Sequence, residues 1–203
     1  MRLLFVCTGN RCRSPLAERL AARWAAEALG SLADAVTTES AGTDATAGEP
    51  MEERSALALA ELGGDPRGVA TRILNPSDIE GADLVLTMTR THRRRVLELA
   101  PRAMRRTFTL TEAAALLSIV DPAALAAAPV AERGRALATL LSRARAFRAG
   151  GPEDDIPDPI GRPLEEHRDV AARIARDLQP LTGVLFTPAA DPLRTATRPS
   201  VAD

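Results

Sequence analysis

The chain has 203 residues and 45% hydrophobic side chains, enough for one domain with a sizeable core. Aromatics supply only 2%, so that core must be built from Leu, Val, Ile and Ala. A formal net charge of −1 speaks against nucleic acid held by bulk electrostatics, and the complete absence of lysine excludes a Walker-type phosphate loop and Schiff-base chemistry. No apolar run is long enough for a membrane span, LLFVC is too short for a signal-peptide core, and two cysteines cannot build a disulfide framework. The expectation is a cytoplasmic protein with neither a membrane nor a nucleic acid as partner.

Arg2–Val6 is a continuous apolar run, as in a strand buried on both faces of a parallel sheet. Ser14 then suits a helix N-cap and Pro15 a first helical position. Leu16, Leu20, Trp24 and Ala28 recur at helical spacing until Gly30. Val36–Ser40 reads as a second strand, running into SAGT. Met51–Leu62 reads as a helix stopped by Gly63 and Gly64. Ala82–Met88 is another buried strand, followed by a helix over Thr91–Leu99. Arg106–Leu110 reads as a fourth strand, with a short helix from Thr111. Strands alternating with helices predict an α/β fold with a parallel sheet.

Residues 118–150 turn Ala-rich and helical, with Leu137, Leu140, Leu141, Ala144 and Phe147 on one face. The acidic, proline-punctuated EDDIPDPIG that follows cannot be regular structure. A last helix places Val170, Ile174, Leu178, Leu181 and Leu185 inward, with an interruption expected at Pro180. Residues 186–203 are Pro-rich and aperiodic, and read as a flexible tail.

The turn between the first strand and first helix is the candidate site. A strand end opening into a helix N-terminus gathers free N–H groups where the helix dipole also favours an anion. Cys7, Thr8, Gly9, Asn10, Arg11, Cys12 and Arg13 supply one N–H each, and Gly9 permits a tight path. A phosphate fits such a ring, with the planar fork of Arg13 on two of its oxygens and Cys7 at its base as nucleophile. Singly, Cys7 could be a structural thiol, Ser14 a plain cap, and Arg11 and Arg13 solvated charges. A zinc site built from Cys7, Cys12, His92 and His167 is disfavoured, because neither histidine forms a matching close pair.

VCTGNRCRSPLAE resembles the active-site loop of the low-molecular-weight protein tyrosine phosphatases, whose motif is C-x5-R-S. SAGT at 40–43, GEP at 48–50, ADLVLTMTRTH at 82–92 and DIPDPIG at 155–161 follow in that family's order. The resemblance spans roughly residues 1–185, with 118–150 as a helical insertion. It implies a three-layer flavodoxin-like fold: a central four-stranded parallel sheet, helices on both faces, and the phosphate-binding loop after the first strand. It further implies a metal-free, cofactor-free hydrolase working through a cysteinyl phosphate. In that enzyme Cys7 is the nucleophile, Arg13 the phosphate clamp, Asp158 the general acid, and Thr8 to Ser14 the phosphate cradle. Ser14 would bond the Cys7 sulfur, Asn10 would brace the loop, and Cys12 would be able to form a reversible disulfide with Cys7. Asp121, Asp154 and Asp155 are local competitors of Asp158, which alone carries the Pro, the Gly and the downstream Glu165 in the family's arrangement.

The substrate implied is a phosphorylated protein or a small phosphomonoester, phosphotyrosine first. Yet Ile160 stands where the family usually has an aromatic, and Arg11 occupies the position bordering the substrate. A relative with a small polar residue there acts on phosphoarginine. Arg11 and residues 118–150 are candidates to reshape the leaving-group pocket, the latter as a lid hinged at Gly150 and Gly151 or as a helical segment packed outside. Arsenate reduction with a low-molecular-weight thiol is the main rival, since the chain lacks the extra cysteines of a thioredoxin-coupled relay. A non-catalytic phosphate-binding module is a third reading. RTHRRR at 90–95, with Arg102, Arg105 and Arg106, reads as a solvated face rather than a docking patch.

Overall fold

The strand β1 (Arg2–Cys7) is buried at every position but its first, because it lies inside a four-stranded sheet and is covered on both faces. The computed structural model describes residues 1–187; the predicted tail over 188–203 lies outside the described residues. The other strands are β2 (Thr37–Gly42), β3 (Leu84–Thr87) and β4 (Thr107–Thr109). All pairs are parallel and the order is β2-β1-β3-β4. Alternation along β1 divides the core. Leu3, Phe5 and Cys7 face a cluster shared with α1 (Arg13–Leu29), α5 (Leu110–Leu117), α7 (Val130–Ala144) and α8 (Leu164–Leu185). Leu4 and Val6 face α3 (Pro76–Gly81) and α4 (Arg90–Leu99). The remaining helices are α2 (Glu53–Glu61) and the short α6 (Ala123–Ala126). This is the three-layer flavodoxin-like arrangement.

Several local expectations change. The helix α1 starts at Arg13 with Cys12 as its N-cap, so Ser14 is the second helical residue and Pro15 the third. Its inward stripe runs through Leu16, Ala17, Leu20, Ala21, Ala25 and Leu29 rather than Ala28, with Trp24 half-buried. The alanines let the helix approach its neighbours closely. The fourth strand ends at Thr109, and Leu110 already belongs to α5, whose capping box is formed by Thr109 and Glu112. Helix α8 continues through Pro180. Burial of Leu178, Leu181, Thr182 and Leu185 outweighs the roughly 3 kcal/mol a helical proline costs. Phe186, assigned to the tail, is 1% exposed and packs into the main cluster.

The segment 118–150 packs into the core rather than on its outside. Leu137 and Leu141 are fully buried in the main core, while Phe147, expected on the same face, follows the helix end and is 84% exposed. Arg133 is the fixing point. Fully buried and with no carboxylate within 4 Å among the described residues, it donates to the carbonyls of Ala126, Ala128, Leu185 and Thr187. These are carbonyls at and just beyond the C-terminal ends of α6 and α8, where helices leave acceptors unpaired and the dipole favours a cation. Arg133→Ala should therefore lower the unfolding free energy by about 3 kcal/mol. The check is the urea midpoint at unchanged slope, with Arg133→Lys recovering part of the loss.

Candidate active site

Cys7 ends β1 almost fully buried, and five residues carry the chain from it into α1. Its Sγ lies 3.0 Å from Ser14 Oγ. That oxygen also accepts from Asn10 Nδ2 at 3.0 Å, which leaves its own hydrogen to donate to the sulfur. Asn10 has φ 55°, the left-handed region that Asn tolerates better than most residues. Its amide is nearly saturated: Nδ2 also donates to Ser40 Oγ at 2.8 Å, and Oδ1 accepts from the Arg72 backbone N–H at 2.9 Å. Ser40 in turn donates to Glu18 at 2.5 Å. Beside this network, Gly42 lets β2 pass under the loop. A Cβ there would come within 2.4 Å of the Thr8 carbonyl, which is the physical reason for the Gly in SAGT.

Among the described residues, the backbone N–H groups of Thr8, Gly9, Asn10, Arg11 and Cys12 donate to no protein acceptor. With the α1 N-terminus they form an anion cradle. The cavity above is about 180 Å³ and is lined by Cys7, Thr8, Gly9, Arg11, Cys12, Arg13, Asp158 and Ile160. Arg13 is 4% exposed. It donates from Nη2 to Asp158 Oδ2 at 2.6 Å and from Nη1 to the Ile156 carbonyl at 3.1 Å, while its Nε has no partner.

The competing carboxylates lie elsewhere. Asp121 accepts the Ala123 N–H in an exposed turn, Asp154 is buried against Arg148, and Asp155 is bound by Arg90. Of the four, Asp158 alone meets Arg13. The two histidines also part company. His92 joins Thr8 Oγ1 through Nε2 at 2.8 Å and Thr89 Oγ1 through Nδ1 at 2.9 Å, whereas His167 contacts Ser55 Oγ through Nδ1 at 2.8 Å. Among the described residues, no group of three or more His, Cys, Asp or Glu could hold a metal.

His92, a zinc-ligand candidate by residue type, instead supports the loop. Burial, assisted by the Arg13 charge, lowers its pKa to about 4, so it is neutral at physiological pH. Cys12 is a free thiol whose pKa burial pushes up to about 11 despite a hydrogen bond with Ser55; it stays protonated. Arg11 sits half-exposed on the rim with Nε 3.3 Å from Glu49 Oε2, and Ile160 stands exposed on the same cavity. No residue of 118–150 lines the cavity among the described residues. No helix among them is long and apolar enough to cross a membrane.

Known proteins converge on this arrangement. The protein-arginine-phosphatase of Geobacillus stearothermophilus is 29% identical over 167 residues, covering 82% of this chain and 84% of that protein. The low molecular weight protein-tyrosine-phosphatase Wzb of Escherichia coli K12 is 35% identical over 99 residues, 49% of this chain and 62% of its own. The structure of the YwlE arginine phosphatase from Geobacillus stearothermophilus superposes with a TM-score of 0.64 at 28% identity, covering 91% and 92% of the two chains. The sequence model of the low molecular weight phosphotyrosine protein phosphatases matches residues 2–133, and with the loop and fold above, the chain belongs to that family of hydrolases.

Proposed function

We propose that this phosphatase acts on phosphotyrosine in proteins, with Cys7 as nucleophile, Arg13 as phosphate clamp and Asp158 as general acid and then base. In the first step the Cys7 thiolate forms a bond from Sγ to phosphorus, and the bond from phosphorus to the leaving oxygen breaks. The electron pair stays on that oxygen, which takes the Asp158 proton. The unpaired N–H groups of Thr8 to Cys12 and the free Nε of Arg13 hold the equatorial oxygens as charge shifts between them. Phosphoryl binding draws the guanidinium fork away from Asp158, freeing the acid to face the leaving group. In the second step water attacks phosphorus, the S–P bond breaks, and the water proton passes to the Asp158 carboxylate. Ser14, donating to sulfur, stabilises it as nucleophile and again as leaving group.

One observation carries this reading: Cys7, the unpaired loop and Arg13 line a single cavity with Asp158. Cys7→Ser should abolish turnover of p-nitrophenyl phosphate with the fold intact by circular dichroism. Arg13→Lys should cost roughly 100- to 1,000-fold, because the bidentate fork is lost. Asp158→Asn should lower kcat/KM by about 100-fold for phenyl phosphate and much less for p-nitrophenyl phosphate, whose leaving group needs no proton.

The preference for phosphotyrosine rests on Arg11. Its guanidinium can lie on the face of a phenol ring, replacing the aromatic wall that Ile160 does not supply, and its charge repels a second guanidinium. Phosphoarginine is the second reading, favoured by the long match to the Geobacillus protein-arginine-phosphatase and by Glu49, a rim carboxylate able to accept guanidinium N–H groups. Paired phosphotyrosyl and phosphoarginyl peptides decide between them. The expected result is the higher kcat/KM for phosphotyrosine, with Arg11→Thr narrowing the gap about tenfold. A wild-type preference for the phosphoarginyl peptide would overturn it.

A further inference from the structure

The segment that carries Asp158 has no secondary structure to hold it, yet its backbone is fixed at three points just upstream. The Ile156 N–H donates to the Met88 carbonyl at 2.8 Å, at the end of β3, and the Ile156 carbonyl accepts from Arg13. One residue earlier, Asp155 closes onto the first turn of α4. Its Oδ1 accepts the Arg90 backbone N–H at 2.7 Å, and the Arg90 guanidinium grips the same carboxylate through Nη2 at 2.9 Å and Nε at 3.2 Å. Asp155 thus satisfies an unpaired donor at a helix N-terminus from outside the helix, with the dipole and an arginine fork both favouring its charge. Burial opposes that charge, but the Arg90 hydrogen bonds prevail and hold the carboxyl below the usual range. The same first turn is tied to the phosphate loop, because His92 bonds Thr8 Oγ1.

We infer that Arg90 and Asp155 are positioning residues: their clamp sets the reach of Asp158 toward the leaving oxygen by fixing the acid segment to the helix that also supports the phosphate loop. Asp155 lies three residues before Asp158, and the two residues between them, Ile156 and Pro157, are a doubly hydrogen-bonded residue and a residue with fixed φ. Little slack remains between clamp and carboxylate. A misplacement on the order of 1 Å at a proton donor costs rate without changing phosphate binding. The clamp is half-exposed, so it contributes little to global stability, and its loss leaves a folded enzyme.

This inference rests on Asp158 as the general acid, and a leaving-group series separates the two. The probes are p-nitrophenyl, phenyl and alkyl phosphates, with kcat/KM measured for wild type, Asp155→Ala, Arg90→Ala, the double variant and Asp158→Asn. Asp155→Ala and Arg90→Ala should each lose about tenfold on phenyl phosphate and less than about twofold on p-nitrophenyl phosphate. The double variant should be no worse than either single one, since both break one clamp. The inhibition constant for inorganic phosphate should stay within about twofold of wild type, which a general collapse of the loop would not allow. Equal losses across the series, or none, in both single variants overturn the positioning role. If Asp158→Asn also shows no leaving-group dependence, the acid assignment falls and the clamp inference falls with it. A steep Asp158→Asn series beside flat clamp variants removes the inference alone.

Discussion

The buried amide of Asn10 is the constraint on which the site depends. A chain leaving the end of a central strand must turn within five residues into the first turn of a helix, and it must do so without using its own N–H groups. The loop is not held by its own backbone N–H groups, which from Thr8 to Cys12 donate to no acceptor among the described residues. Asn10 solves this with a left-handed φ and a side chain that reaches α1 at Ser14, β2 at Ser40 and the backbone of Arg72. The free energy that keeps the cradle open therefore comes from a side-chain network behind it. Glu18, pushed up by burial and bonded to Ser40, extends that network outward to the edge of the structure.

The topology decides where such a loop can exist. In the order β2-β1-β3-β4, the chain moves from β1 to one side and then crosses to the other, so the crevice at the C-terminal end of β1 lies at the switch point of the sheet. Segments from both directions meet there: the end of β2 with Gly42, the end of β3 with Met88, the first turn of α4, and the acid segment. A parallel sheet also makes helix N-termini follow strand ends. The α1 N-terminus and its dipole consequently arrive at Cys7 as a product of the fold.

Much of this was legible in the sequence because the signals are local. Arg2–Val6 shows its burial as an unbroken apolar run, and the cysteine, arginine and serine of the loop carry a spacing that only a tight turn makes meaningful. What escaped has a common physical origin in contacts between distant segments. The spacing alone offers Ser14 as a cap, whereas the structure starts the helix earlier, at Arg13, with Cys12 at the cap. His92 lies inside an arginine-rich run that resembles a solvated face, and nothing near it in sequence announces Thr8. Pro180 is a local helix-breaking signal that loses to burial of the residues around it, a tertiary effect. Arg133 is the extreme case. A buried guanidinium serving only carbonyls leaves no sequence mark that separates it from the other arginines of this lysine-free chain.

The same division separates chemistry from specificity. Atoms that would touch the phosphate come from one short loop whose Cys7, Asn10, Arg13 and Ser14 are buried, with Asp158 held to it by Arg13. Atoms that would touch the leaving group come from Arg11, Glu49 and Ile160, which sit on the rim, partly exposed and held by at most one ion pair. A rim residue can change size or charge without disturbing Asn10, Ser14 or Arg13, because it shares no hydrogen bond of its side chain with them. Arg11 shows the consequence most directly: its backbone is part of the cradle, its carbonyl accepting from Glu52, while its guanidinium leans outward to Glu49. One residue thus belongs to the fixed loop through its main chain and to the exposed rim through its side chain.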